Sequence, residues 1–172
     1  MRRGMTLVCC AVLAACGSST TSGEVFHANM NAAQEVPAPN VAGFNPVGTA
    51  VFQNNGDGSV TYTVNATGLS TSVSTATSPT TFTGMHIHFA APGVASGVVV
   101  PLTTPSLGAT AGVVAVTGTF TQASITGKDA NNATITLDTV LSTMRSGGAY
   151  INVHTSRNTA GELRGQIATG GL

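Results

Sequence analysis

Three histidines carry the clearest chemistry in this chain. His86 and His88 are two residues apart, and His154 follows much later. Alternate side chains of a β-strand point to the same face, so the first two imidazoles are expected to lie side by side. Imidazole nitrogen is a good ligand for copper and zinc. If the strand that carries His154 lies next to the strand of the pair, three imidazoles can hold one metal ion. Otherwise, the pair is an ordinary solvated strand face.

Three other polar residues are candidates for a role. Arg164 either attracts a small anion toward the metal, which would make it part of a catalytic site, or pairs with Glu162 or a backbone carbonyl. His27 is a further ligand or, more simply, an exposed strand residue. Glu35 precedes Val36-Pro37, where we expect it to be structural and to bond loop amides.

Other chemistries find little support in the sequence. The chain has no GxSxG motif and no Walker-type loop, and its carboxylates are too scattered to indicate a glycosidase pair. The chain has six basic and six acidic residues among 172 and no charge run, which argues against nucleic acid as a partner.

The N-terminal segment reads as an export signal. Arg2 and Arg3 precede a short apolar stretch over residues 5–15, and residues 13–16 (LAAC) resemble a bacterial lipobox. The resemblance implies that Cys16 is lipidated, with residues 1–15 as signal peptide and 16–23 as a flexible tether. An ordinary signal peptide is the alternative. The sequence thus predicts a lipoprotein of the cell envelope, at the outer membrane, in the periplasm or on the cell surface, with membrane contact through the lipid alone.

The remaining chain, residues 24–172, is expected to form one all-β domain. It contains no cysteine, so no internal disulfide can support it. Apolar residues alternate with polar ones in short segments that Gly, Pro, Asn and Ser separate, which indicates a Greek-key β-sandwich or barrel of about eight strands. The predicted strands are residues 25–30, 48–53, 59–67, 83–89, 97–102, 113–120, 134–141, 149–154 and 162–168. A helical turn over 138–145 is the alternative for the seventh of these.

The motifs resemble those of the CHRD domain, a module of the BMP antagonist chordin and of many exported bacterial proteins. The match extends from about residue 24 to residue 168. Its motifs are QEVP (34–37), HIH (86–88) with APGVASG (91–97), YINVHT (150–155) and GELRGQ (161–166). Residues 69–83 depart from the pattern as a Ser/Thr-rich insertion. The chordin context implies a non-catalytic extracellular interaction or adhesion module.

A weaker resemblance is to copper/zinc superoxide dismutases. In those enzymes an HxH pair and a late histidine bind copper, and an arginine near the C-terminus guides superoxide; His86, His88, His154 and Arg164 have this order. The barrel would then be superoxide-dismutase-like, with an immunoglobulin-like sandwich as the alternative. The disulfide, bridging histidine and zinc ligands of the dismutases have no counterparts here.

Three functions follow as hypotheses. The first is copper binding through the three histidines, with either superoxide dismutase-like redox activity or simple copper sequestration. The second is the interaction module that the chordin context implies. The third is a structural domain that zinc stabilises.

Overall fold

The structure is a computed structural model that describes residues 23–70, 84–102 and 112–170. Within these ranges the chain forms eight strands, one α-helix and two short 3-10 helices. The strands are β1 (Val25–Asn31), β2 (Val47–Asn54), β3 (Ser59–Thr67), β4 (Gly84–Phe89), β5 (Val98–Leu102), β6 (Val114–Thr121), β7 (Ala149–His154) and β8 (Leu163–Thr169). The helices are η1 (Ala32–Gln34), η2 (Gln122–Ser124) and α1 (Leu137–Arg145).

The eight strands form one antiparallel sheet that curls into a nearly closed barrel. Their order is β5-β4-β7-β8-β1-β2-β3-β6, so several neighbours in space are distant along the chain. The segment after η2 spans the gap between the two outermost strands, because the backbone amides of Thr126 and Gly127 both donate to the Val99 carbonyl at 3.0 Å. This bridge satisfies part of the β5 edge and brings the ends of the sheet together.

The apolar residues of the alternating strands fill the barrel interior. Met85 and Ile87 of β4 and Ile151 and Val153 of β7 have no exposed surface, as have Phe26 and Phe52 on the opposite side. Period-two alternation then sends His86 and His88 to the outer face of the sheet. The candidate site therefore lies outside the apolar core, on the outer face of the sheet.

The all-β prediction is confirmed, and eight of the nine predicted strands correspond to strands of the structure within a residue or two. The strand expected over residues 134–141 is wrong: this region contains α1, as the alternative over 138–145 proposed. Thr136 caps the helix by accepting a hydrogen bond from the Thr139 amide at 3.2 Å. The buried residues Leu137, Val140, Leu141 and Met144 follow the helical period and pack on the core.

None of the helices in the described ranges combines the length and apolar character that crossing a bilayer would require. The predicted signal peptide, the lipidation site Cys16 and most of the tether fall outside the described residues, as does most of the Ser/Thr-rich insertion. Those statements stay predictions.

Candidate metal centre

Strand pairing brings the three histidines together. In the antiparallel ladder of β4 and β7, Gly84 lies opposite His154, His86 opposite Asn152 and His88 opposite Tyr150. His154 is therefore two residues from the position facing His86, and all of these side chains share one face. The sequence pattern left open whether the three histidines meet, and the structure confirms that they do.

The ligand atoms of the three imidazoles lie within 4.8 Å of one another. Nδ1 of His86 is 3.1 Å from Nε2 of His154. The ring centroid of His86 is 4.9 Å from that of His154 and 5.7 Å from that of His88, and both pairs meet edge to face. Two nitrogens on one zinc or copper ion can be about 4 Å apart at most, so even the widest pair needs to close by less than about 1 Å.

Backbone carbonyls orient two of the rings. Nδ1 of His88 lies 3.0 Å from the carbonyls of both Ser96 and Gly97, and Nδ1 of His154 lies 2.9 Å from the Thr159 carbonyl. A carbonyl oxygen only accepts, so each Nδ1 must carry the proton. The lone pair of each neutral ring is then on Nε2, which faces the centre of the cluster. Metal-binding histidines are commonly oriented by such second bonds.

The protein environment keeps the imidazoles neutral. Burial lowers the pKa of His86 to about 4, with help from repulsion by His154 and His88. Burial is also the main reason that the pKa values of His88 and His154 are lowered. Neutral imidazole is the form that binds metal, so these nitrogens need no deprotonation at physiological pH.

A fourth polar side chain lies among the histidines. Oδ1 of Asn152 is 2.8 Å from Nε2 of His154 and 3.1 Å from Nε2 of His88. The residue is 3 % exposed. Asn152 is not among the site residues predicted from the sequence, although its position two residues before His154 on the same strand face was a usable signal.

Arg164 is buried beside this cluster rather than open to solvent. Nη1 donates to the Val94 carbonyl at 2.8 Å and Nη2 to the Ala91 carbonyl at 2.9 Å. Its guanidinium lies over the Tyr150 ring, and that ring stacks on His88 with a centroid distance of 4.8 Å. The arginine thus bonds backbone carbonyls, one of the two roles considered for it. It holds the loop over residues 90–97, whose carbonyls orient His88.

Glu35 lies behind the site and is 4 % exposed. Oε1 accepts a hydrogen bond from the Val36 amide at 3.0 Å, as expected of a residue that bonds loop amides. Oε2 is buried and makes no hydrogen bond of standard geometry within the described ranges. Burial raises the pKa of Glu35 to about 7, although the Val36 amide, the Arg164 charge and the Asn152 amide each favour the ionised form.

His27 does not join the cluster. It lies on β1, opposite Val51 of β2 and Ala168 of β8, and is half-buried. Its Nδ1 is buried with no hydrogen-bond partner among the residues that the structure describes. The group of described residues that could hold a metal ion consists of His86, His88 and His154, without His27.

The donor set fits a borderline or soft divalent ion. Three neutral nitrogens, two of them oriented by second bonds, match the preference of zinc and copper for imidazole. A hard cation such as magnesium or calcium would require oxygen ligands instead. The arrangement can therefore bind a transition metal.

Comparisons with known proteins identify the family. A family model described as the CHRD domain matches residues 26–167, which is most of the chain. No curated protein matches, and no solved structure matches. The weaker resemblance to copper/zinc superoxide dismutases therefore gains no support. The motif resemblance and the family model agree, and the chain belongs to the CHRD domain family.

Proposed function

We propose that this CHRD-domain protein binds one copper ion through His86, His88 and His154. The observation that carries the proposal is the convergence of three neutral imidazoles, with ligand atoms within 4.8 Å of one another, from two strands far apart in sequence. The Nε2 atoms of His88 and His154 face the same small space, where His86 Nδ1 lies 3.1 Å from Nε2 of His154. A single ion placed there can be bound by all three rings.

Copper is favoured over other first-row ions by its higher affinity for nitrogen ligands. Divalent copper binds nitrogen sites more tightly than zinc and the earlier first-row ions. Zinc suits the same ligands and is the alternative ion, in which case the site stabilises the fold. Both ions would raise the free energy of unfolding, because only the folded chain assembles the three ligands.

Binding without turnover is the better-supported form of the proposal. Redox catalysis on a small anion would benefit from an accessible guanidinium beside the metal. The Arg164 side chain is instead 1 % exposed, and two loop carbonyls accept its hydrogen bonds. The proposal is therefore copper sequestration, with dismutation of superoxide as the more demanding alternative.

The test uses protein purified without a histidine tag, stripped of metal and titrated with Cu(I), Cu(II) and Zn(II) against chelators of known affinity. We expect one tight equivalent of copper per chain. His154→Gln should abolish tight binding, and His86→Gln should do the same. His27→Gln is the matched control, since it removes a histidine outside the cluster, and should leave affinity unchanged.

Two results would overturn the proposal. Wild-type protein that stays metal-free with all three ions would leave the interaction module as the function. Undiminished copper affinity in His154→Gln, confirmed as folded by circular dichroism, would move the site elsewhere. A superoxide assay on the copper-loaded protein separates sequestration from turnover.

Location is part of the proposal. We infer from residues 1–16 that the protein is exported and anchored through lipid on Cys16. In a bacterial host, the full-length chain should incorporate labelled fatty acid and partition into the detergent phase. Cys16→Ser should lose both properties without losing copper affinity. Labelling that persists in Cys16→Ser would contradict the inference.

A further inference from the structure

We propose that Asn152 is the fourth ligand of this site, and that its amide oxygen selects a divalent ion over Cu(I) and closes the metal against solvent. This inference rests on the proposed function, because it assumes that the three histidines bind metal.

The register of the sheet places Asn152 at the centre of the cluster. Its backbone lies opposite His86 on β4, and its side chain projects between those of His88 and His154. On its other side, β8 places Arg164 opposite Asn152. A residue on a central strand, paired on both edges, has little freedom to swing its side chain out of the site.

Asn152 places its amide oxygen against two imidazole nitrogens. Its Oδ1 lies 2.8 Å from Nε2 of His154 and 3.1 Å from Nε2 of His88. Both rings carry their proton on Nδ1, and each Nδ1–H group donates a hydrogen bond to a backbone carbonyl. In this orientation of the amide, two nitrogen lone pairs and an oxygen meet, and none of these three atoms carries a hydrogen. His86 Nδ1 also lies 3.1 Å from Nε2 of His154. A metal ion is the group that such a set of acceptors can share.

Three of the six distances among the four proposed ligand atoms already match four-coordinate geometry, and the widest histidine pair must close as described above. Bonds of about 2.0 Å in a tetrahedron put neighbouring ligand atoms about 3.3 Å apart. Three of the separations are already close to this value: 2.8 Å and 3.1 Å from Oδ1 to the two Nε2 atoms, and 3.1 Å from His86 Nδ1 to His154 Nε2. The oxygen thus occupies the place of a ligand rather than a position behind one.

Glu35 favours the orientation in which the oxygen, and not the NH₂ group, faces the histidines. The Asn152 amide lowers the pKa of the nearby Glu35 carboxyl, although Oε2 makes no hydrogen bond of standard geometry among the described residues. A carboxylate attracts the NH₂ end of the amide, which turns Oδ1 the other way. Glu35 is accordingly a positioning residue for the proposed ligand.

A nitrogen–oxygen set of this kind has consequences for the ion. Oxygen ligands suit harder, divalent ions, and mixed nitrogen and oxygen ligands are typical of Cu(II). Four protein ligands with no open position are typical of a metal that is held and not of one that performs catalysis. The expected resident is a divalent ion: affinity and the mixed ligands favour Cu(II), whereas tetrahedral geometry would favour Zn(II).

The experiment compares Asn152→Ala, Asn152→Asp and wild type, each titrated with Cu(II), Zn(II) and Cu(I). We expect Asn152→Ala to weaken Cu(II) and Zn(II) binding by at least about 10- to 100-fold, the range for losing a residue that only orients a ligand, and to change Cu(I) affinity by less than about threefold. Asn152→Asp keeps an oxygen at the same place and should restore divalent binding. Asn152→Asp is also measured in the Glu35→Gln background, so that the new carboxylate does not face the Glu35 carboxylate.

A spectroscopic measurement on the wild-type chain is independent of any folding defect. With Co(II) as the probe ion and nitrogen-15-labelled asparagine, the side-chain NH₂ signal of Asn152 should show a contact shift, transmitted through the ligand bond, in addition to the through-space shift that any nearby amide would show. The Co(II) visible bands of Asn152→Ala should differ from those of wild type, because a ligand has been exchanged for water.

The outcomes separate the two proposals. Wild-type protein that binds no metal defeats the proposed function itself. Wild-type protein that binds copper, with Asn152→Ala showing equal divalent affinity and unchanged Co(II) bands, defeats only the assignment of Asn152. Asn152→Ala could instead weaken the binding of all three ions and leave the Co(II) visible bands unchanged. That result would show that Asn152 positions the histidines, and it would overturn the assignment of Asn152 as a ligand.

Discussion

The guanidinium carbon of Arg164 lies 3.5 Å from the centroid of the Tyr150 ring. That ring is nearly parallel to the imidazole of His88, with an interplanar angle of 7°. A buried cation, an aromatic ring and a metal-binding candidate thus form one continuous stack on the outer face of the sheet. The geometry connects the stability of the loop over residues 90–97 to the position of His88.

Arg164→Met should lower the free energy of unfolding by about 2–4 kcal/mol, because two hydrogen bonds from a charged donor and a cation–π contact are lost. Arg164→Lys should restore little of this stability, since an ammonium group cannot reproduce the planar, two-pronged hydrogen bonding of the guanidinium. Urea unfolding of the metal-free protein measures both. Arg157→Met is the control: this exposed arginine lies 5.3 Å from the Phe44 ring centroid and should cost less than about 0.5 kcal/mol.

Copper affinity provides a second readout for the same variants. The released loop would no longer hold the Ser96 and Gly97 carbonyls against Nδ1 of His88. We expect affinity to fall by about tenfold in Arg164→Met, comparable to losing an orienting bond. Unfolding and affinity both equal to wild type would show that the arginine supports neither the loop nor the ring.

The strand pattern predicts the faces of the sheet well, but not the order of its strands. Alternation in residues 86–88 and 150–154 fixes which side chains share a face. Adjacency of β4 and β7 depends on long-range pairing, and the chain forms β5, β6 and α1 between them. No local preference encodes that pairing, so the meeting of His86 with His154 stays a hypothesis until the strand order is known.

The helix and the buried acid show two further limits. Residues 134–141 are rich in Thr, Ile, Val and Leu, which favour strands, and the nine-residue α1 is too short for its apolar stripe to dominate. Tertiary packing of Val140 and Met144 on the core decides the outcome. Glu35 lies in a loop whose neighbours, Asn152 and Arg164, come from the other end of the chain, so its burial had no local signal.

Glu35 should make the metal-free protein less stable as pH rises. Its pKa is about 7 in the folded chain, against 4.5 for an unperturbed carboxyl. Between these values the folded state binds more protons than the unfolded state, so the free energy of unfolding decreases with rising pH and levels off above pH 7. We expect this contribution to be about 1–3 kcal/mol.

The control for that prediction is Glu35→Gln measured over the same pH range in the presence of EDTA. The histidines act in the opposite direction, because their lowered pKa values remove stability as pH falls below 6.5. Subtracting the Glu35→Gln profile cancels them. A difference that is flat from pH 4.5 to pH 7 would show that Glu35 titrates normally.

Glu162→Gln should destabilise the fold by about 2–4 kcal/mol. The side chain has no exposed surface and accepts hydrogen bonds from the Ser70 backbone and hydroxyl, from Thr155 and from Asn158. Burial raises the pKa of Glu162, but these bonds outweigh it and the pKa is lowered. Glutamine replaces one acceptor oxygen with an NH₂ group that faces donors.

Thermal and urea unfolding check this prediction against Glu24→Gln. Glu24 forms a partly exposed ion pair with Arg145 at 2.6 Å, which is expected to contribute less than about 1 kcal/mol. If both variants lost the same free energy of unfolding, the hydrogen bonds of Glu162 to Ser70, Thr155 and Asn158 would stabilise the fold no more than a surface ion pair does. A loss confined to Glu162→Gln would place this network among the main supports of the loop that ends β7.

Gly161→Ala should strongly destabilise the fold. Gly161 has a φ of +131°, which L residues rarely adopt, and a Cβ there would collide with the Glu35 carboxylate. We expect a loss of about 2–4 kcal/mol in the free energy of unfolding. Gly147→Ala is the matched control, since its φ is +70° with nothing within 4 Å of a Cβ, and backbone strain alone should cost about 1 kcal/mol.

A double-mutant cycle separates collision from strain in Gly161→Ala. Glu35→Ala removes the carboxylate, so the Gly161→Ala penalty measured in that background should fall to the strain of the backbone. The coupling energy then reports how closely Glu35 is pressed against this turn. A penalty that is the same in both backgrounds would mean that the loop over residues 32–46 moves aside freely, and that Glu35 is too mobile to orient Asn152.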